Sequence, residues 1–416
     1  MTENYQLTML PNGLRIVSEH VPHVASAAVG FWVQSGSRDE SYDEQGLSHF
    51  LEHMLFKGTT KRPSPKQIAD EVDAIGGYMN AFTDREHTCY YMRTLAADVF
   101  TAIDILSDML TDPLFPVEET HRERGVVLEE IKQRDDDPED LIHDIFAETL
   151  FPKHALGVPV IGRADVVASA EPEHLRKLMA ERYQGSRITV ALSGNVNHDV
   201  VVEQIAASMG HLSRGVERTA LALPNVFRGK KFVAEDTEQV HFCLGQTGPT
   251  HRADDRYAAM LLDCIIGGSM GSRLFQEIRE KRGLVYTIGS YVQPYDEIGV
   301  TGAYGGTSME SFELCLDVIQ TEFAKLRGAG VEEGELARAK TQFRSALIMG
   351  QESMSSRMTR LGKALLTYNE ITPLDEVVAR IDRVSLADVH AAAEKYLPET
   401  LDDSAVVALG PFGETE

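Results

Sequence analysis

The chain has 416 residues, of which 43% are hydrophobic and 25% are charged, a composition that excludes disordered and low-complexity proteins. Its 40 Lys and Arg residues stand against 64 Asp and Glu residues, giving a net charge of −24. This balance argues against a nucleic acid or an anionic membrane as partner and favours a basic ligand. The four cysteines form no Cys-x-x-Cys pair, so we predict buried free thiols.

The two halves of the chain resemble each other at an offset of a little over two hundred residues. The segment Val29–Gly36 matches Val240–Gly248, and Tyr183 and Tyr396 each end a similar helical segment. Strands at both ends of each half, with amphipathic helices between them, predict an α+β fold of two homologous domains, each a mainly antiparallel sheet packed against helices. We place these domains at residues 1–210 and 232–416, joined by a linker over 211–231.

In chain order, the first predicted elements are two strands joined by a tight turn. Asn12-Gly13 lies between the apolar stretches Leu7–Leu10 and Leu14–Val17. An Asn-Gly pair between two such stretches is a strong signal for a β-hairpin.

The next element is a short amphipathic helix that carries His49-x-x-Glu52-His53, with Gly58 as its predicted stop. Residues three and four apart share one face of a helix, so we expect the three polar side chains to point into one small volume. Two imidazoles at this spacing can bind Zn²⁺ while the carboxylate accepts a proton from the metal-bound water. The order is that of the inverted zincins. The alternative is an exposed polar helix face with two solvated histidines.

A short strand is predicted at Tyr78–Thr83, after the Gly76-Gly77 turn. Beside a zinc site, such a strand can bind an extended peptide at its edge through main-chain hydrogen bonds, whatever the peptide's side chains. The alternative is an internal strand that is paired on both sides.

A second helix, predicted over Phe115–Lys132, offers the third metal ligand that two histidines still require. At 100° per residue, Glu130 and two valines each fall within about 60° of Glu123, whereas Glu129 lies about 100° from Glu130. A carboxylate on the mostly buried face is the better ligand, so we predict that Glu130 binds the metal.

Glu123 lies on the same face of this helix, two turns before Glu130. A carboxylate in that position can hold a ligand histidine in one tautomer. The alternative is an ordinary surface ion pair with Arg122 or Arg124.

Four segments in the right order make the chain resemble the pitrilysin-type zinc peptidases, which include insulin-degrading enzyme and the mitochondrial processing peptidase. The resemblance covers nearly the whole chain and identifies it as a half-length member with two related domains. The four segments are His49–His53, Gly76–Thr83, Glu123–Glu130 and Arg279–Tyr286.

The resemblance implies a role for each matching residue. Zinc would be bound by His49, His53 and Glu130, with Glu52 as the general base. Arg279 and Tyr286 would bind the substrate backbone and help to polarise the scissile carbonyl; without the resemblance they would be ordinary surface residues. The substrate would lie along the strand formed by Asn80, Ala81, Phe82 and Thr83.

We therefore predict a zinc metalloendopeptidase that cleaves short or unfolded polypeptides, with Zn²⁺ as its cofactor. The alternative is a non-catalytic scaffold or partner subunit, a use of the same fold in processing-peptidase-like complexes. We expect a homodimer, or a heterodimer with a related chain, and leave open whether Arg279 and Tyr286 act in cis or in trans. With no recognisable signal peptide or membrane-spanning segment, the expected location is the cytoplasm, or the mitochondrial matrix for a mature organellar protein.

Overall fold

The computed structural model describes residues 4–413, which divide into two compact units. Unit 1 contains the described residues up to Lys132, together with Val158–Thr219 and Ile348–Leu374. Unit 2 contains Gln133–Gly157, Ala220–Leu347 and the described residues from Asp375 onward. Neither unit is a single continuous stretch of chain.

Within the described residues there are eleven strands and fourteen α-helices. The strands are β1 (Tyr5–Met9), β2 (Arg15–His20), β3 (Ser26–Val33), β4 (Tyr78–Thr83), β5 (Thr88–Leu95), β6 (Ile188–Gly194), β7 (Gly229–Ala234), β8 (Val240–Gly248), β9 (Val285–Gln293), β10 (Gly299–Thr307) and β11 (Ala405–Gly410). The helices are α1 (Leu47–Met54), α2 (Pro65–Ala74), α3 (Val99–Thr111), α4 (Val117–Asp135), α5 (Pro138–Leu150), α6 (Ala164–Ser169), α7 (Pro172–Arg182), α8 (His198–Met209), α9 (Arg256–Ile266), α10 (Phe312–Ala329), α11 (Glu333–Gly350), α12 (Met354–Tyr368), α13 (Leu374–Arg383) and α14 (Leu386–Tyr396).

Unit 1 is built on a six-stranded sheet in the order β1-β2-β6-β3-β5-β4. Only the β2–β6 pair is parallel, so the sheet is mainly antiparallel, as predicted. The expected hairpin is present: β1 and β2 pair from Met9 opposite Arg15, and Gly13 takes a φ of 87°, which glycine adopts without steric cost. Strand β4 pairs only with β5 and forms one edge of the sheet.

Both faces of the unit 1 sheet are covered, because successive side chains of a strand point to opposite sides. In β3, Phe31 packs into the large core that includes buried residues of α1, α3, α7 and α8. The neighbouring Trp32 points the other way and packs against Met358 and Leu361 of α12. Helix α12 therefore belongs to unit 1, although it comes from the second half of the chain.

Unit 2 repeats this architecture, with a five-stranded sheet in the order β7-β11-β8-β10-β9. Its single parallel pair, β7 with β11, corresponds to β2 with β6, and its edge strand β9 corresponds to β4. The predicted duplication and the α+β fold class are confirmed. One face packs on α9, α10, α11 and α14, and the other is covered by Ile142, Phe146 and Leu150 of α5.

Helix α5, from the first half of the chain, thus packs on the sheet of unit 2, and α12, from the second half, packs on the sheet of unit 1. The predicted domains, residues 1–210 and 232–416, differ from the observed units for this reason: each omits the helix that covers the second face of its own sheet. An amphipathic sequence shows that a helix packs on something, but not on which sheet. The predicted linker, 211–231, includes an irregular stretch that ends where β7 begins at Gly229.

Two further expectations concern thiols and membranes. The four cysteines are free, three of them buried and Cys264 half-buried, which agrees with the prediction of unpaired thiols. Across residues 4–413, no helix combines the length and the apolar character that crossing a bilayer requires.

Candidate metal centre

Helix α1 is held by its apolar face, which leaves its polar residues together on the other side. Leu47, Phe50, Leu51 and Met54 are buried in the core of unit 1. The helix ends at Met54, four residues before the predicted stop, because the chain continues as tighter turns in which the N–H of residue 57 donates to the carbonyl of Met54. Gly58, with a φ of 122°, ends these turns and not the helix itself.

The structure brings the three predicted zinc ligands together. The ligand atoms of His49, His53 and Glu130 all lie within 4.8 Å of one another. His53 Nε2 is 3.6 Å, and His49 Nε2 4.0 Å, from Glu130 Oε2. Glu129, the alternative on α4, is 72% exposed and forms an ion pair with Lys132.

This donor set fits zinc. Two imidazole nitrogens and one carboxylate are a usual protein ligand set of catalytic zinc, and tetrahedral bonds of ~2.1 Å require donor atoms about 3.4 Å apart, close to the separations seen here. Burial, and secondly the neighbouring His53, lower the pKa of His49 to about 4. Neutral imidazole is the form that binds a metal.

Glu123 fixes the orientation of the His53 ring. His53 Nδ1–H donates to Glu123 Oε1 at 2.9 Å, so Nε2 carries the lone pair that faces Glu130. The other oxygen, Oε2, is 2.6 Å from Lys57 Nζ. Burial opposes the charge on Glu123, but the hydrogen bonds from His53 and Lys57 outweigh it and lower its pKa. Burial likewise acts to lower the pKa of His53, yet its acidic neighbours, Glu123 first, raise it.

The alternative surface pairing of Glu123 is absent from the described residues. Arg122 pairs with Glu119, and Arg124 pairs with Glu171. Lys57 was not identified from the sequence. Its one sequence signal is its position four residues after His53, where a lysine resembles any surface cation.

Glu52 lies beside the ligands with its carboxylate fixed by a neighbouring strand. The Thr83 hydroxyl donates to Glu52 Oε2 at 2.5 Å, and Glu52 is only 9% exposed. Burial raises the pKa of Glu52 against the opposing effects of Thr83 and His53. A carboxylate with a raised pKa, next to candidate metal ligands, is suited to take up and release a proton.

The four residues predicted to bind substrate, Asn80 to Thr83, do not all direct their side chains to the same face of the sheet. Strand alternation directs Ala81 and Thr83 toward α1, whereas Phe82 packs edge-on against Trp32 at 5.7 Å on the opposite face of the sheet. The Phe82 side chain therefore points away from Glu52. Ala81 N–H donates to the Asn80 side-chain oxygen at 2.8 Å, and β4 has no further strand beside it in the described residues.

Arg279 and Tyr286 lie next to each other in unit 2. Arg279 is in a short π-helical turn, Phe275–Glu280, and Tyr286 is near the start of β9. The guanidinium of Arg279 lies over the ring of Tyr286 at 5.0 Å. Tyr286 is 77% exposed, so its ring is stacked on one face while much of the side chain remains accessible.

Comparison with known proteins places this geometry in a family. The family described as Insulinase (Peptidase family M16) matches residues 15–164, and the Peptidase M16 inactive domain matches residues 169–343. An uncharacterized zinc protease of Streptomyces coelicolor is 40% identical over 94% of this chain and 86% of its own. One of Bacillus subtilis is 36% identical over 97% of each chain.

Solved structures of low identity share the fold. A protease from Helicobacter pylori superposes with a TM-score of 0.90 at 22% identity, covering 99% of this chain and 100% of its own. A peptidase M16 inactive domain from Pseudomonas fluorescens gives 0.91 at 21% identity, covering 99% of both chains. With relatives named zinc proteases matching over nearly its full length, the chain belongs to peptidase family M16, the insulinase family of zinc-dependent peptidases.

Proposed function

We propose that the chain is a zinc metalloendopeptidase that cleaves extended polypeptides, with Glu52 as its general base. The observation that supports this most is the cluster of His49, His53 and Glu130, with the Glu52 carboxylate held beside it by Thr83. A zinc ion held by these three residues would acidify a water molecule and polarise a carbonyl. Glu52 takes the proton from the attacking water and then delivers it to the leaving nitrogen.

The edge strand β4 suggests how a substrate is held. A peptide that adds to this edge is bound through its backbone, so recognition does not depend on its side chains. Only an extended segment can add in this way, which favours short or unfolded polypeptides. The Asn80 side chain has to release the Ala81 N–H before a substrate carbonyl can bind there.

Arg279 and Tyr286 are proposed to contribute to substrate binding. Their stacking holds the tyrosine ring while leaving the side chain exposed, and a hydroxyl and a guanidinium are suitable donors to a peptide carbonyl or a developing oxyanion. The dimeric assembly and the cytoplasmic location expected from the sequence stay predictions.

The net charge of −24 supports a preference for basic peptides. Cleavage of a Lys- and Arg-rich peptide should lose efficiency as salt rises, through an increase in KM, because ions screen the attraction. An acidic peptide of equal length is the control; an equal salt response for both peptides would remove charge from substrate selection.

The test of the proposed function uses the purified full chain with zinc restored. Metal analysis should give one zinc per chain, and an internally quenched peptide should be cleaved within its sequence. A chelator should abolish cleavage and added zinc should restore it. A chain that binds no zinc and cleaves no peptide would instead favour the scaffold or partner-subunit alternative.

A further inference from the structure

A buried carboxylate from the loop before α1 caps the helix that carries the histidines. Glu40 is 8% exposed and reaches the first turn of α1 with both oxygens. Its Oε2 accepts the N–H of Gly46 at 2.8 Å, and its Oε1 accepts the N–H of Ser48 at 2.6 Å. Ser48 directly precedes His49 in the chain.

This arrangement supplies what the helix cannot supply for itself. The first N–H groups of a helix have no partner within it, and a side chain at the N-cap position usually accepts from them. Here the N-cap residue is Gly46, with a φ of 100° and no side chain. Glu40 takes over that role from six residues upstream and adds a negative charge at the positive end of the helix dipole.

The duplicated unit separates this interaction from the general scaffold. Near the same helix, Glu44 pairs with Arg182 of α7 at 2.7 Å. In unit 2, the residues 211 and 213 positions later are Asp255 and Lys395, which also pair at 2.7 Å. The Glu44–Arg182 pair is therefore part of the architecture that both units share.

Among residues 4–413, the cap from Glu40 has no such counterpart. The residue 211 positions after Glu40 is His251, which carries no carboxylate. Helix α9, the unit 2 counterpart of α1, begins after Asp255, whose side chain makes no cap hydrogen bond. Of these two interactions next to the helix, only the cap is confined to the unit with the zinc-binding residues.

We infer that Glu40 is a positioning residue for the metal centre. By accepting the Gly46 and Ser48 N–H groups, it fixes the first turn of α1 and so the direction in which the His49 and His53 side chains project. This inference rests on the proposed zinc site. It is independent of Glu123, which acts on His53 from α4. Burial raises the pKa of Glu40 to about 7, a cost consistent with a carboxylate retained for the bonds it accepts.

The test compares Glu40→Gln with the matched control Glu44→Gln in the full chain. Both variants replace a carboxyl group of the same loop by an amide, but the amide of Glu40→Gln offers one oxygen to two N–H donors. Zinc affinity, measured by chelator competition, should fall about 10- to 100-fold in Glu40→Gln, as for other residues that orient metal ligands. It should be unchanged in Glu44→Gln, whose melting temperature should fall instead.

The visible absorption of the Co²⁺-substituted proteins gives a second readout, because it reports ligand geometry and not overall stability. It should change in Glu40→Gln alone. If Glu40→Gln does not fold, Glu40→Asp, which keeps the charge but withdraws the carboxylate by one methylene, should show the same weaker zinc binding. Wild-type affinity and spectrum in a folded Glu40 variant would overturn the inference; absence of zinc binding by the wild type would overturn the proposed function instead.

Discussion

Unit 2 has counterparts of the proposed metal ligands of unit 1, on equivalent elements but with different side chains. Helix α9 corresponds to α1, and α11 corresponds to α4. The residues 211 or 212 positions after His49, His53 and Glu130 are Met260, Cys264 and Gln342. Cys264 Sγ lies 2.7 Å from Gln342 Oε1, much as His53 faces Glu130.

The surroundings of the two centres are more alike than the centres themselves. In unit 1, Thr83 of the edge strand donates to Glu52 at 2.5 Å; in unit 2, Ser290 of the edge strand donates to Asp263 at 2.6 Å. Burial raises the pKa of both acids, that of Asp263 to about 6. An acid whose pKa is raised by burial, with a hydroxyl partner from the edge strand, is therefore found in both units.

The supporting carboxylate is also repeated. Glu123 pairs with Lys57 at 2.6 Å, and Glu335, 212 residues later, pairs with Arg273 at 2.7 Å. The units thus differ in the donor atoms: two imidazoles and a carboxylate in one, a thioether, a thiol and an amide in the other. They differ also in the helix cap from Glu40, which is described for unit 1 alone. The proposed capacity of unit 1 to bind zinc depends on its three donor side chains.

The largest expected effect is on peptide cleavage, and it should distinguish Glu52 from its counterpart Asp263. Glu52→Gln should lower kcat/KM by about 10²- to 10⁴-fold while zinc stays bound, because an amide cannot accept the proton. Asp263→Asn, the same change in the equivalent place, should leave activity unchanged. Peptide cleavage and metal content of both purified variants give the measurement. A comparable loss in Asp263→Asn would mean that unit 2 takes part in the chemistry.

Removal of single donor groups should weaken zinc binding in unit 1 and have no effect on it in unit 2. His53→Ala and Glu130→Ala should each weaken zinc binding by more than the ~100-fold typical of supporting residues, because a direct ligand is lost. Cys264→Ala and Gln342→Ala should leave one zinc per chain. Glu129→Ala is the control on α4 itself. If zinc were lost from Glu129→Ala and kept by Glu130→Ala, the assignment of the third ligand would be wrong.

The sequence was sufficient for those parts of the centre that depend on a single helix. The spacing of His49 and His53 puts them on one face whatever the rest of the chain does, and a helical wheel separates Glu130 from Glu129. The edge position of β4 could only be favoured, since pairing partners lie far apart in sequence. The duplication was visible because both the helical segments and the strands repeat.

What the sequence did not reveal depends on contacts between distant elements. Whether α5 covers the sheet of unit 1 or of unit 2 is decided by packing against residues about a hundred positions away or more. The side-chain direction of Phe82 depends on strand register, in which one residue of shift exchanges the two faces. Glu40 resembles any loop carboxylate until the fold brings Gly46 and Ser48 to it.

Zinc binding introduced into unit 2 would test how closely its elements match those of unit 1. The triple variant Met260→His, Cys264→His and Gln342→Glu should bind a second zinc per chain, since it restores the donor set on equivalent elements. This zinc should bind more weakly than the first, because α9 has no cap like that from Glu40. A cavity of about 50 Å³ next to Cys264 and Gln342 leaves room for an imidazole, which is larger than the cysteine side chain. Metal analysis should show two zinc ions, and one after His53→Ala is added. A folded triple variant with one zinc would show that the backbones of the two centres differ more than their pairings suggest.

The smallest expected effect concerns Asp263, the half-buried acid of unit 2, and the origin of its raised pKa. Between the unfolded pKa of ~4 and the folded pKa of about 6, the folded protein holds the Asp263 proton more tightly than the unfolded chain. Its stabilising contribution is therefore full below pH ~4 and is lost as the pH rises through about 6. Asparagine at this position does not titrate.

The unfolding free energy of wild type should accordingly fall by about 1–3 kcal/mol relative to Asp263→Asn between pH 4 and pH 7, the size that a two-unit shift allows. Denaturant unfolding at several pH values measures this difference. A constant difference would mean that Asp263 is not perturbed in the fold. A falling one, in a unit without a zinc-binding set, would show that burial in the shared scaffold alone raises the pKa of an acid here. The raised pKa of Glu52 would then be a consequence of the fold and not of the zinc site. The proposed zinc-binding side chains would be what makes an acid with this pKa useful in catalysis.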